Sequence, residues 1–241
     1  MVRPKPSDVN APVLSQFSLQ SKVAAVTGGS RGIGLAVSRG LAEAGAAAEA
    51  IIYTSSKNAQ LIAATPTSET GSSVKACQFD VTNKVTITAT LNQIADEFGQ
   101  LDIVVANAGI ATHHVAKDYT AEQWHAFMKT NLDGASFTAQ AAANIFKKQK
   151  TCSSLIFTVS VSGTLSLAVE RVDFARVNCI SPKFIATDML DAHPREMADA
   201  AELKGAYVFL ARYASSHTNG ADMIIDGGHS LPWNGVLEMS T

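Results

Sequence analysis

The sequence predicts a doubly wound α/β fold, a single domain with a parallel sheet covered by helices on both faces. Three observations carry that expectation. Short apolar runs of strand length alternate with amphipathic stretches of helical period. The first apolar run leads directly into a glycine-rich turn and then a helix. No internal repeat, low-complexity tract or linker divides the 241 residues.

The elements follow in order. Pro4, Pro6 and Pro12 break regular structure in residues 1–20, which are expected to form a disordered N-terminal tail. KVAAVTG gives a first strand from about Lys22 to Thr27, and the next helix has its apolar face at Ile33, Val37 and Leu41. A second strand covers Ala48 to Tyr53 and a third Val74 to Asp80. The helix from Lys84 to Phe98 places Ile87, Leu91, Ile94 and Phe98 on one face. LDIVVANAG supplies a strand ending near Ala106. A long helix is expected from Thr120 to Lys147, with Trp124, Phe127, Met128, Asn131, Leu132 and Ala135 along one stripe. SLIFTVS and ARVNCI read as the fifth and sixth strands, a helix spans about Ala198 to Ala214, and GADMIIDGG holds the last strand. The folded domain is placed at 21–231, with a C-terminal tail at 232–241.

Composition narrows the function. Hydrophobic residues make up 46% and charged residues 17%, enough apolar material for a sizeable core. A net charge of −2 with scattered Lys and Arg argues against nucleic acid and against acidic membrane surfaces. Cys77, Cys152 and Cys179 match no metal-ligand or redox spacing, so no metal is expected and the thiols read as reduced packing residues. No stretch approaches the roughly 20 apolar residues of a membrane span, and the N-terminus lacks a signal-peptide core. A cytoplasmic protein is expected.

The segment Thr27-Gly28-Gly29-Ser30-Arg31-Gly32-Ile33-Gly34 lies between a predicted strand and helix. A pyrophosphate needs close backbone approach, hence glycine, and gains from the positive end of a helix. A dinucleotide is therefore the expected cofactor. Enzymes preferring NAD place an acid at the end of the second strand; here that place reads Tyr53-Thr54-Ser55-Ser56-Lys57. Arg31, Ser55 and Lys57 suit a 2′-phosphate, which favours NADP(H). Lys57 reads equally well as a solvated surface lysine.

Together with further segments, this loop resembles the short-chain dehydrogenase/reductase family. The family's T-G-x-x-x-G-x-G is matched from Thr27 to Gly34, and its acidic residue after the third strand by Asp80-Val81. Its N-A-G is matched by Asn107-Ala108-Gly109, its helical Asn by Asn131, and its strand-end serine by Ser160 with Gly163 at the usual offset. In VNCISPKFIATDM the resemblance makes Pro182, Ile185 and Thr187 cofactor contacts, and DGG at Asp226–Gly228 matches the family ending. SLAVE, DFARVNCISP, AELKGAY and TNGADMIIDGG look most like the fungal sorbose reductase and NADP-dependent mannitol dehydrogenase branch. The resemblance implies a Rossmann-type fold. It also implies hydride transfer between NADP(H) and a small carbonyl or alcohol, such as a ketose, polyol or natural-product ketone. Asn131 and Ser160 then belong to the catalytic set.

One part of the family pattern is absent. The reaction uses a Y-x-x-x-K motif a dozen or so residues after the serine, the tyrosine moving the hydroxyl proton and the lysine lowering its pKa. From Ser160 onward there is no tyrosine before Tyr207 and no lysine before Lys183. SLAVERVDFARVN resembles the end of the helix that carries the motif, joined almost directly to the serine. A parallel crossover needs about a dozen residues, so the sheet is expected to survive with a shortened helix around Ser166–Asp173. Homo-oligomer assembly, in which that helix takes part in the family, is expected to be weakened.

Lys183 replaces the usual glycine after the proline, and either disturbs the nicotinamide pocket or points to solvent. The loop from Asp188 to Asp199, where a substrate lid usually lies, looks short. His113 and His114 offer a substitute general acid but read more naturally as loop residues, Tyr207 as core, and Tyr119 as a helix-start residue. Three readings stand: an impaired oxidoreductase, a non-catalytic dinucleotide-binding or interaction protein, and a truncated product of an active reductase gene.

Overall fold

A computed structural model of the chain describes residues 10–111, 116–159, 174–189 and 197–230. Seven parallel strands form the main sheet: β1 Val23–Thr27, β2 Ala48–Tyr53, β3 Ser73–Gln78, β4 Ile103–Ala106, β5 Ser153–Thr158, β6 Ala175–Pro182 and β9 Asp222–Ile225. Their spatial order is β3-β2-β1-β4-β5-β6-β9. A separate two-residue ladder joins β7 Ile185–Ala186 to β8 Ala198–Asp199. The strand order reverses between β1 and β4, and at such a switch point the loops leaving neighbouring carboxyl ends diverge and open a crevice.

Each face of the sheet carries its own core. Ala25, Ala50, Ile52, Val104, Leu155 and Val177 point to helices α3 (Lys84–Phe98) and α5 (Gly134–Gln149), meeting Ile87, Leu91, Ala142 and Phe146. The alternate residues Ala24, Val26, Val105, Ile156 and Ile180 meet Val37 and Leu41 of α1 (Gly32–Glu43) and Leu203, Tyr207 and Leu210 beside and within α6 (Lys204–Ala211). Period-2 alternation with both faces covered explains why the strands read as continuous apolar runs.

Several expectations are corrected. The tail does not run to residue 20: Val13–Phe17 form a 3₁₀ turn, and Leu19 is fully buried with its N–H bonded to Ala44 O at 2.9 Å. Helix α2 (Ala59–Thr70), left unassigned by the sequence, fills the β2–β3 crossover despite an internal Pro66 and no apolar period. The third strand stops at Gln78, short of Asp80. The expected Thr120–Lys147 helix is two helices, α4 (Ala121–Met128) and α5, joined by a π-turn over Lys129–Asp133. Of the expected stripe, Ala135 packs against the core but Trp124 and Leu132 are more than half exposed, and Thr138, Ala139, Ala142 and Phe146 supply the buried face. The expected Ala198–Ala214 helix is β8, a 3₁₀ turn (Ala200–Leu203) and α6.

Strand β6 pairs with β5 over six residues, from Ser153↔Ala175 to Thr158↔Ile180, so the sheet is kept across the short crossover. The helix expected at Ser166–Asp173 lies outside the described residues, as do Ser160, Gly163, His113, His114, residues 1–9 and residues 231–241. Among the described residues no helix is long and apolar enough to cross a membrane.

Candidate cofactor and catalytic site

At the carboxyl end of β1, Thr27 ties the glycine turn to the loop after β4. Its side chain is buried, and its Oγ1 accepts the N–H groups of Asn107 at 2.9 Å and Ala108 at 3.0 Å. The hydroxyl donates to Val105 O at 3.3 Å, and Asn107 Nδ2 donates to Thr27 O at 3.0 Å. The turn itself needs glycine. A Cβ on Gly34 would lie 2.2 Å from Gly28 O and 2.6 Å from Asn107 Nδ2, and Gly28 has φ +68°. Helix α1 starts at Gly32 with Arg31 exposed at its N-cap, so its first N–H groups open at this turn.

Asn131 sits within the π-turn, a geometry that displaces one residue from the helical ladder and recurs at functional sites. Its Oδ1 accepts Ile110 N–H at 2.8 Å and its Nδ2 donates to Ile110 O at 2.9 Å. The side chain thus holds the backbone next to Gly109, whose own Cβ would come within 3.2 Å of Asn131 Oδ1. Asn131 fixes the edge of the crevice; both polar atoms of its side chain are engaged in doing so.

The loops after β2 and β3 are joined through Thr54, whose hydroxyl donates to Phe79 O and whose carbonyl accepts Gln78 Nε2. Tyr53 is half-buried there, and Ser55 and Lys57 are exposed. Arg31 and Lys57 form no ion pair among the described residues. Asp80 Oδ1 accepts Thr82 N–H at 2.8 Å, and buried Val81 packs on Gly134. Ser30 is buried in the turn.

The segment after β6 crosses back over the turn. Lys183 N–H donates to Ile225 O, Ile185 is buried in the core, and the Thr187 methyl would lie 3.2 Å from a Cβ on Gly32. Lys183 does not point plainly to solvent: its Nζ lies 5.3 Å from the Phe184 ring centroid, and its charge helps hold Asp226 below the usual carboxylate range, after the hydrogen bond from Ser230. At the end of β5, Thr158 Oγ1 is 2.6 Å from the hydroxyl of Tyr207. Tyr207 is fully buried and its pKa is raised by burial, so it is a core residue, as its apolar neighbours suggest.

The structure therefore gathers Gly28, Gly32, Gly34, Asn107, Ala108, Gly109, Asn131 and Thr187 at the carboxyl end of β1 and β4, at the switch point of the sheet. The sequence marks Thr27 only as the first residue of the glycine motif, without a role, and does not mark the contact between Phe184 and His229. A threonine at a buried strand end beside a glycine turn is a signal for the first; nothing local signals the second. One Y-x-x-x-K spacing does exist, Tyr53 to Lys57, but Tyr53 ends β2 and Lys57 lies in a loop, so no helix face unites them. It also lies on the far side of β1 from β4.

A glycine turn cross-tied to an N-A-G loop at the switch point of a doubly wound sheet defines the dinucleotide-binding class of α/β proteins. The family model described as short chain dehydrogenase matches residues 22–172, and the chain belongs to that family. It is 36% identical to a probable NADP-dependent mannitol dehydrogenase of Yarrowia lipolytica, covering 93% of each chain. It is 37% identical to a sorbose reductase of Schizosaccharomyces pombe, covering 89% of this chain and 98% of that one. An NADPH-dependent 3-quinuclidinone reductase from Rhodotorula rubra superposes with TM-score 0.87 at 33% identity, covering 95% and 98%. The mannitol dehydrogenase alignment runs over 261 positions, more than the 241 residues of this chain, so that relative carries residues without a counterpart here.

Proposed function

We propose that the chain binds NADP(H) in the crevice between β1 and β4 as an oxidoreductase-type protein for small ketoses or polyols. We further propose that this chain turns substrate over weakly or not at all. The observation that carries the binding half is the turn: Gly28 and Gly34 lack the Cβ that would strike Ala108, Asn107 and the Gly28 carbonyl, so the glycine turn closes tightly on the N-A-G loop beside the first N–H groups of α1. Asn107–Gly109, pinned by Thr27 and Asn131, form the opposite wall. Arg31, Ser55 and Lys57 supply exposed positive charge and donors for the 2′-phosphate. In this reading Asp80 and Val81 would contact the adenine and Pro182, Ile185 and Thr187 the nicotinamide side, roles that the family resemblance supports. The names of the relatives, with NADP-dependent members and polyol or ketose substrates, support the same reading.

When bound, the nicotinamide supplies or accepts hydride. The protein's part is to orient the reacting carbon and move a proton on its oxygen. Ser160 is the residue for hydrogen-bonding that oxygen, but the stretch from Ser160 to Pro182 contains neither tyrosine nor lysine. Losing a general acid costs about 10²–10⁴-fold in rate. The longer alignment with the mannitol dehydrogenase favours an internal deletion as the origin of the gap.

NADPH fluorescence titration tests the binding half, with saturable binding expected. Ketose reduction followed by NADPH absorbance tests the other half. A kcat in the ordinary enzymatic range of about 1–10³ s⁻¹ would overturn the claim of impaired turnover. Absence of NADPH binding would overturn the cofactor reading. A transcript encoding a Y-x-x-x-K helix between Ser162 and Ser166 would identify the chain as a product of an intact reductase gene.

A further inference from the structure

Phe184 is a bulky residue with φ +51°, in the left-handed region that side chains of its kind rarely adopt. It interrupts a segment that is tied at both ends. Before it, the β6–β9 ladder runs to Pro182↔Ile225 and Lys183 N–H continues to Ile225 O. After it, β7 pairs with β8 and Thr187 comes to rest on Gly32 of the glycine turn. Phe184 O accepts Ala198 N–H at 3.1 Å, so the unusual backbone is built into the ladder.

Among the described residues, the ring meets Lys183 and His229. Lys183 Nζ lies 5.3 Å from its centroid, and the His229 ring meets it edge-on at 5.3 Å and 74°. His229 is itself fixed in a self-closed turn, in which Asp226 accepts the N–H groups of Gly228 at 2.9 Å and Ser230 at 2.6 Å and the Asp226 carbonyl accepts His229 N–H. We infer that Phe184 is a positioning residue for the dinucleotide: its contact with His229 latches the segment Pro182–Thr187 to the turn after β9 and so holds Thr187 over the glycine turn.

This rests on the cofactor reading above, and its test separates the two. Phe184→Ala and His229→Ala remove the aromatic contact from either side, and Phe184→Tyr keeps it. Loss of one aromatic contact corresponds to roughly three- to tenfold in the latched population, so NADPH Kd is expected to rise by that factor in both alanine variants and to return in Phe184→Tyr. In the cofactor-free protein, amide hydrogen exchange of Ile185–Thr187 is expected to speed up in the alanine variants by a similar factor. His229→Ala leaves the strained residue itself untouched, so it answers even if Phe184→Ala does not fold. Wild-type exchange at Ile185–Thr187 in His229→Ala would overturn the latch. Faster exchange in His229→Ala together with no NADPH binding by the wild-type protein would retain the latch and overturn only the cofactor reading.

Discussion

Glu49 lies inside β2, paired with Ala24 of β1 and Val74 of β3, and is fully buried. Neither carboxylate oxygen makes a hydrogen bond among the described residues. Burial pushes its pKa from the ordinary 4.5 to about 8, opposed by the nearby Ser38 hydroxyl, which lies close but not in hydrogen-bonding geometry. The folded protein thus keeps a proton that the unfolded chain releases. Stability from this residue is full below about pH 4.5, declines as pH rises towards 8, and levels off above it. Glu49→Gln removes that dependence and is expected to stabilise the protein at pH 8 by about 4 kcal/mol while changing stability at pH 5 by less than about 1 kcal/mol. Urea denaturation at both pH values checks it, and equal gains at both would sink the assignment. AEAIIY marks this position as strand from the sequence, but pattern alone does not say that the lone acid would be fully buried.

The elements show where sequence periodicity holds and where it misleads. Helix α3 is legible because Ile87, Leu91 and Ile94 share one buried face and Asn83 caps its start by accepting Val85 and Thr86 N–H. Helix α2 is not, because TPTSET offers no apolar stripe and its few core contacts come from Ala59, Ala63 and Pro66. The α4–α5 pair misleads most. Its large apolar residues repeat at helical spacing, yet the π-turn changes the phase, and small residues such as Ala139 and Ala142 take the core. That turn is what lets Asn131 reach Ile110 with both polar atoms. Asn131→Ala is expected to cost only about 1 kcal/mol of stability, since Ile110 is exposed to water, but to weaken NADPH binding measurably. A thermal melt beside a fluorescence titration separates the two effects; unchanged affinity would remove Asn131 from the crevice's machinery.

For the molecule as a whole, the class and the cofactor end follow from the glycine turn and the alternation of runs. The N-terminal boundary does not, because prolines around a 3₁₀ turn hide that Leu19 enters the core and that Ser18 O accepts Arg212 Nε at 2.6 Å. Leu19→Ala is expected to destabilise the domain by about 2–5 kcal/mol in denaturant melts, whereas a free tail would give no change. Ser160 and its neighbours remain legible only through resemblance, since a single reactive serine leaves no periodic trace in a sequence. The ladder between β5 and β6 has a wider meaning. It closes over residues 159–174, and a parallel connection is constrained in length and hand, not in what it carries. Selection for a foldable chain therefore places no demand on a proton donor in that crossover.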